Sequence, residues 1–122
     1  MQQKEQIMKV RGVVQSEDPN IKIHNEGIAA AKKAAQDYMD KHGEPMYCGF
    51  AWVNIKPGTS RFARSLKAAN LVDHTSYYGG YDIWDPAGFP TQSMDIKEVG
   101  AEAYANVLES YGIQAQMMSR AD

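Results

Sequence analysis

Residues 47–55 (YCGFAWVNI) are apolar at almost every position, and this run constrains the fold more than any other feature of the chain. A strand with one solvated face alternates apolar and polar residues, so a continuous apolar run predicts a strand that is covered on both faces. We therefore place residues 47–55 at the centre of a sheet that has other elements packed against it.

Two segments on either side of this strand have the signals of amphipathic helices. Asn25 is the predicted N-cap of a helix over residues 26–42, whose apolar residues recur at helical spacing. After the strand, Thr59 or Ser60 caps a short helix that runs to about Ala69.

A third helix is predicted near the C-terminus. Asp95 and Glu98 have the spacing of a capping-box variant, which makes Asp95 the predicted N-cap, and Gly112 supplies the stop. The predicted buried stripe of this helix consists of Ile96, Val99, Ala103, Val107, Leu108 and Tyr111. Three further segments, 6–15, 77–84 and 113–118, have strand patterns, and the glycine pair within 77–84 indicates a bulge or a close backbone approach.

The chain has 122 residues, which corresponds to one domain over residues 1–122. Its hydrophobic fraction of 43% and charged fraction of 23% are close to the globular average and argue against a disordered chain. The order of elements predicts an α+β (or α/β) fold with about four strands in a mixed sheet and three helices packed on it. The order of the strands in the sheet stays open.

The single cysteine, Cys48, cannot form an intramolecular disulfide, which favours a reducing compartment. The N-terminus lacks an apolar core of signal-peptide length, and no apolar run approaches about 18 residues. We therefore expect a cytoplasmic protein without a membrane segment.

The net charge of −2 offers no global attraction to nucleic acid or anionic lipid, but the charges are distributed unevenly. Residues 45–72 carry four basic and no acidic side chains, whereas residues 73–109 carry one basic and seven acidic ones. The two blocks could bind an anion, pair head to tail with a second copy and form a homo-oligomer, or neutralise each other within one fold.

The basic block contains a predicted anion site at the start of its helix. Backbone N–H groups at Thr59, Ser60 and Arg61 are free to bind an anion there, where the helix dipole also favours negative charge. Arg61, Arg64 and Lys67 recur every three residues on one helical face. The alternative interpretation is a solvated amphipathic face.

Aromatic residues are dense in the following segment, where five occur within 13 positions: Tyr77, Tyr78, Tyr81, Trp84 and Phe89. Such a cluster beside a basic helix suggests a site that stacks a ring while arginines hold a phosphate. We predict ligand-binding roles for Tyr77, Tyr78 and Trp84. The alternatives are a protein interface and ordinary core packing.

Catalytic and metal signals are weak. His24 and Glu26, followed by Cys48, faintly resemble a zinc-deaminase signature, but the second cysteine that such a site needs is missing. Asp82 and Asp85 could act as paired carboxylates, yet they also fit a strand face and a turn. Nucleophile, Walker and dinucleotide motifs are absent from the sequence, so we predict no catalytic residues, no metal and no cofactor.

Three stretches, GFAWVNIKPGTSRFARSLK, GGYDIWDPAGFPTQSMD and KEVGAEAYANVLESYGIQAQMMSRAD, resemble small uncharacterised proteins of tailed phages and marine viral metagenomes. The resemblance covers about residues 48–122 and carries no catalytic motif. It implies an intracellular, virus-encoded accessory protein, either a virion component or a factor that acts on a host pathway.

Three functions follow from these observations. The first is a binding protein that holds an anionic small molecule, such as a nucleotide, without turnover. The second is a structural or interaction protein that assembles with itself through the charged blocks. The third is a small hydrolase that uses Asp82, Asp85 and a histidine.

Overall fold

The computed structural model describes residues 9–10, 13–72 and 75–122. These residues form three helices and five strands, which are, in chain order, β1 (Lys9–Val10), β2 (Val13–Val14), α1 (Pro19–His42), β3 (Gly49–Lys56), α2 (Arg61–Ala68), β4 (Tyr81–Trp84), α3 (Met94–Ser110) and β5 (Gln114–Ala121). The chain is therefore an α+β protein.

The main sheet has three strands in the order β4-β3-β5, and both pairings are antiparallel. The predicted four-stranded mixed sheet is not confirmed, because β1 and β2 pair with each other as a separate antiparallel ribbon. The described part of the strand predicted over residues 6–15 differs from the prediction, because β1 and β2 are two short strands that pair antiparallel and not one continuous strand. Residues 6–8 and 11–12 of that prediction lie outside the described residues.

The central strand was predicted correctly, and it is covered on both faces. Alternate residues Ala51, Val53 and Ile55 are buried against the helices. Between them, Trp52 and Asn54 are also buried, although they lie on the opposite face. All three helices contribute buried side chains to the rest of the helix-side core. These side chains include Ile21, Ile28, Ala31, Phe62, Leu66, Ile96, Tyr104 and Leu108.

Helix α1 begins seven residues before the predicted start. Asp18 is its N-cap and accepts a hydrogen bond from the Asn20 backbone N–H, and Pro19 occupies the first turn, where it loses no hydrogen bond. Asn25, the predicted cap, instead lies inside the helix and exchanges two hydrogen bonds with the backbone of Val14. An asparagine side chain can cap a helix or bond to the backbone of a neighbouring segment, so the residue type alone does not distinguish the two roles.

The boundaries of the later elements were predicted with mixed success. Ser60 caps α2 and accepts from the Ala63 N–H, as expected. Helix α3 is preceded by Ser93, so Asp95 lies in its first turn and is not the cap. The strand predicted over residues 77–84 is shortened to β4, because residues 77–80 form a turn. In the described part of the chain, no helix has the length and apolarity that crossing a membrane requires.

Helices α1 and α3 pack closely where a glycine faces a tyrosine. The ring of Tyr104 lies against Gly27, and a Cβ atom at that glycine would come within 2.7 Å of the ring. The Tyr104 hydroxyl is 2.7 Å from Nδ1 of the buried His24, so its polar end is hydrogen-bonded. Burial raises the pKa of Tyr104 well above its ordinary value.

Leu108→Ala should lower the free energy of unfolding by about 2–5 kcal/mol, because this leucine is fully buried on the face of α3 that packs into the core. Asp95→Ala should cost at most about 1 kcal/mol, since the aspartate only interacts with the dipole of the first turn. Urea denaturation of both variants measures the two losses. Equal losses would contradict the assignment of the inward face of α3.

Candidate ligand-binding cleft

The sheet face that points away from the helices carries a regular grid of side chains. Strand register places Trp52 between Trp84 of β4 and Met118 of β5, and it places Asn54 between Asp82 and Gln116. Rows on one face of a strand are two residues apart, which corresponds to about 6.6 Å. This face therefore has an apolar row beside a row of hydrogen-bonding groups.

The apolar row is built on a pair of tryptophans. The rings of Trp52 and Trp84 are stacked, with centroids 4.6 Å apart and an interplanar angle of 28°. Trp52 is only 8% exposed, whereas Trp84 remains 41% exposed. Phe50 meets Trp84 edge to face at 6.4 Å. The stack thus fixes a large aromatic surface and leaves part of it open to solvent.

Two cations lie beside Phe50, which is in the next row of this face, on the side of the tryptophans away from Asn54. Arg120 of β5 is paired in register with Phe50, and its guanidinium carbon is 5.5 Å from the ring centroid. Lys97 Nζ lies 5.2 Å from the same centroid and donates a hydrogen bond to the Gly49 carbonyl. Among the described residues neither cation forms an ion pair.

The turn before β4 forms a wall of the cleft. Asn54 Nδ2 donates to the Gly79 carbonyl at 2.9 Å and to Asp82 Oδ1 at 3.0 Å, so one buried amide holds both the turn and the carboxylate. Gly80 has a φ of 69°, and a Cβ there would collide with the Ile55 carbonyl. The predicted close backbone approach at the glycine pair is therefore present.

These elements enclose a cleft of about 650 Å³. Its lining combines aromatic, charged and hydroxyl side chains: Trp52, Thr75, Tyr77, Tyr78, Asp82, Trp84, Met118, Ser119 and Arg120. Tyr77 is 94% exposed and Tyr78 56%, so both rings stand at the rim. A flat aromatic molecule could contact Trp84 and the tyrosines while polar groups reach Asp82 or Arg120.

The structure separates the predicted site residues into two groups. Tyr77, Tyr78 and Trp84 line the cleft. The other five, Thr59, Ser60, Arg61, Arg64 and Lys67, lie at or on α2, which packs on the helix-side core through Phe62 and Leu66. The sheet lies between the two groups, so the arginines of α2 and these aromatic residues do not form one pocket.

The basic residues of α2 belong to a different surface. Arg61 and Arg64 line a depression of about 460 Å³ together with Asp18 and Asn20, while Lys67 Nζ lies 5.6 Å from the ring centroid of Tyr81. The Ser60 side chain is already bonded to the Ala63 N–H. The carboxylate of Asp18 also lines this depression. Its negative charge weakens the attraction of the two arginines for an anion.

Several cleft residues were not predicted as site residues. Trp52 and Asn54 lie in the apolar run, where the sequence pattern indicates only a buried strand. Met118 and Arg120 belong to β5 and reach the cleft only through their register with β3. The only available signal was the alternation of Phe50, Trp52 and Asn54 on one face of the predicted central strand.

The residues considered for catalysis or metal binding are dispersed. His24 is buried against Tyr104, and Cys48 is exposed beside Ser93. In the parts of the chain that the structure describes, no group of three His, Cys, Asp or Glu side chains could hold a metal ion. Asp82 lies in the cleft, whereas Asp85 follows β4 with a φ of 42°.

Comparison of the chain with protein-family models, with curated proteins and with solved structures finds no match.

Asn54→Ala should lower the free energy of unfolding by about 1–3 kcal/mol, because it removes two hydrogen bonds and leaves the Gly79 carbonyl without its partner. Faster amide hydrogen exchange in residues 75–82 should accompany the loss. Gln116→Ala, at an exposed position of the same row, is the matched control and should change stability by less than about 0.5 kcal/mol. Equal effects of the two variants would contradict the role of Asn54.

Proposed function

We propose that this protein is a non-catalytic binding module for an anionic small molecule that carries an aromatic ring, such as a nucleotide. The observation that carries the proposal is the partly exposed Trp84, which is stacked on Trp52 inside a cleft of suitable size. Ring stacking on an aromatic side chain contributes about 1–3 kcal/mol per base and needs no particular base.

The charges of the cleft suggest how such a ligand would be oriented. Arg120 is exposed and lines the cleft, and its guanidinium can form charge-assisted hydrogen bonds with a phosphate. Asp82 lies one row beyond the tryptophans, in the direction away from Arg120. The anionic group therefore belongs at the Arg120 end, and the ring lies on Trp84.

The biological setting that we propose is the cytoplasm of an infected host. It rests on the sequence resemblance to phage proteins and on the single cysteine, which suits a reducing compartment. A small accessory protein that holds a nucleotide without turnover would act there by sequestering it or by sensing its concentration.

Nucleotide binding should quench the intrinsic tryptophan fluorescence, because both tryptophans of the chain line the cleft. We expect a saturable signal when purine and pyrimidine monophosphates are titrated into the wild-type protein. Trp84→Ala should weaken binding by about 1–3 kcal/mol, as measured by calorimetry, because the stacking surface is removed. Tyr111→Ala, which removes an exposed aromatic ring outside this lining, should leave affinity unchanged.

A pair of arginine variants locates the anionic group in the same titration. Arg120→Ala should cost about 1.5–3 kcal/mol of binding free energy, the usual value of a hydrogen bond to a charged group. The joint variant Arg61→Glu with Arg64→Glu should bind normally. If the joint variant loses binding and Arg120→Ala does not, the anion binds at α2 and the cleft is not its site.

Self-assembly is the second candidate function, and two observations favour it. Strand β5 pairs with β3 on one side, and no described strand pairs with its other edge. No ion pair between described residues joins the basic block 45–72 to the acidic block 73–109. Exposed strand edges and unneutralised blocks of charge both promote association with a second copy.

If the charged blocks drive assembly, the homo-oligomer should dissociate as salt is raised, because exposed charges are screened over about 8–10 Å at physiological ionic strength. Sedimentation velocity at 20 mM and 500 mM salt measures this directly. A dimer that is insensitive to salt would assign the contact to the β5 edge. A monomer at both salt concentrations would rule out self-assembly as the function.

A further inference from the structure

Asp82 is the acidic side chain that the cleft presents beside its stacking surface. It is half-buried, and it shares one sheet face with Trp84 two residues further along β4. Its Oδ1 atom accepts a hydrogen bond from Asn54 Nδ2, and among the described residues it forms no ion pair. The carboxylate is therefore fixed in position and retains acceptor capacity for a ligand.

The position of this carboxylate decides which part of a ligand can lie next to it. Two rows on one strand are about 6.6 Å apart, a distance that the edge of a ring stacked on Trp84 can span. A phosphate would be repelled by Asp82, and a ring edge with acceptor atoms would also be unfavourable there. The edge that faces Asp82 must therefore carry N–H donors.

We propose that Asp82 is the specificity-determining residue of the cleft and that it selects a guanine-type ring. This inference rests on the proposed nucleotide-binding function. Guanine presents two neighbouring donors, N1–H and the N2 amino group, with no acceptor between them, so both can bond to one carboxylate. Adenine, cytosine and uracil each place an acceptor next to their donor on the corresponding edge.

Asn54 is the positioning residue in this arrangement. Its Nδ2 group donates to both Asp82 and the Gly79 carbonyl, so both amide N–H donors are used in holding the carboxylate and the turn. Asn54 is only 4% exposed and is itself held between β4 and β5 in the centre of the sheet. A carboxylate fixed in this way loses little side-chain entropy when it binds a ring.

Calorimetric titration of the wild-type 122-residue chain with four purine monophosphates tests the proposal. GMP should bind at least tenfold more tightly than IMP, which lacks the N2 amino group, and than AMP and XMP. XMP is informative because a carbonyl oxygen replaces the amino group and would meet the carboxylate. This comparison needs no variant, so it does not depend on the folding of any mutant.

Asp82→Asn should invert the preference between GMP and XMP. The new amide can still accept from Asn54 through its oxygen, while its NH₂ group donates to the carbonyl at C2 of XMP and opposes the amino group of GMP. We expect GMP affinity to fall at least tenfold and XMP affinity to rise. Glu102→Gln removes the same charge from an exposed site on α3 and should change neither affinity.

The possible results separate this proposal from the proposed function. If all four nucleotides bind equally, or AMP binds best, Asp82 does not select guanine although the cleft still binds nucleotides. If GMP is preferred and Asp82→Asn keeps that preference, another residue reads the ring, and the assignment of Asp82 is overturned. If no nucleotide binds to the wild-type protein at millimolar concentration, the proposed function itself fails.

Discussion

The rest of the structure depends on the burial of β3 from both sides. On one face, Val53 and Ile55 pack against the helices, as in any two-layer α+β protein. No helix of the described residues packs on the other face, where Trp84 stacks on Trp52 and Met118 is its register partner on β5. This second cover consists of aromatic and polar side chains on short segments, so it is incomplete and leaves a cleft.

The cleft is a product of strand register. Asp82 and Arg120 are 38 residues apart in the chain, yet they line the same cleft because β4 and β5 both pair with β3. A slip of one residue in either pairing would move these side chains to the helix-side face. The buried apolar residues on that face therefore also fix the positions of the polar groups in the cleft. The strand register thus determines both the stability of the sheet and the geometry of the site.

The helix starts show where local patterns are ambiguous. Aspartate, asparagine and serine all make good caps because their short side chains accept from backbone N–H groups. The same property lets Asn25 bond to the Val14 backbone from inside α1, while Asp18 makes the actual cap. A choice between such residues requires knowledge of which backbone groups already have partners, and that depends on distant segments.

The sequence by itself determined the elements that rely on local periodicity and local caps: the central strand, the short helix after Ser60, and the burial of Ile96 and Leu108 on the last helix. The rest of the stripe predicted for that helix was wrong in part, since Tyr111 is exposed and the buried Tyr104 was not in it. The tertiary structure alone decided that Trp84 and Arg120 meet in one cleft and that Arg61 and Arg64 lie elsewhere. The physical reason is the distance along the chain over which each effect acts. Periodicity and capping act within a few residues, whereas strand order and register are set by burial summed over the whole chain.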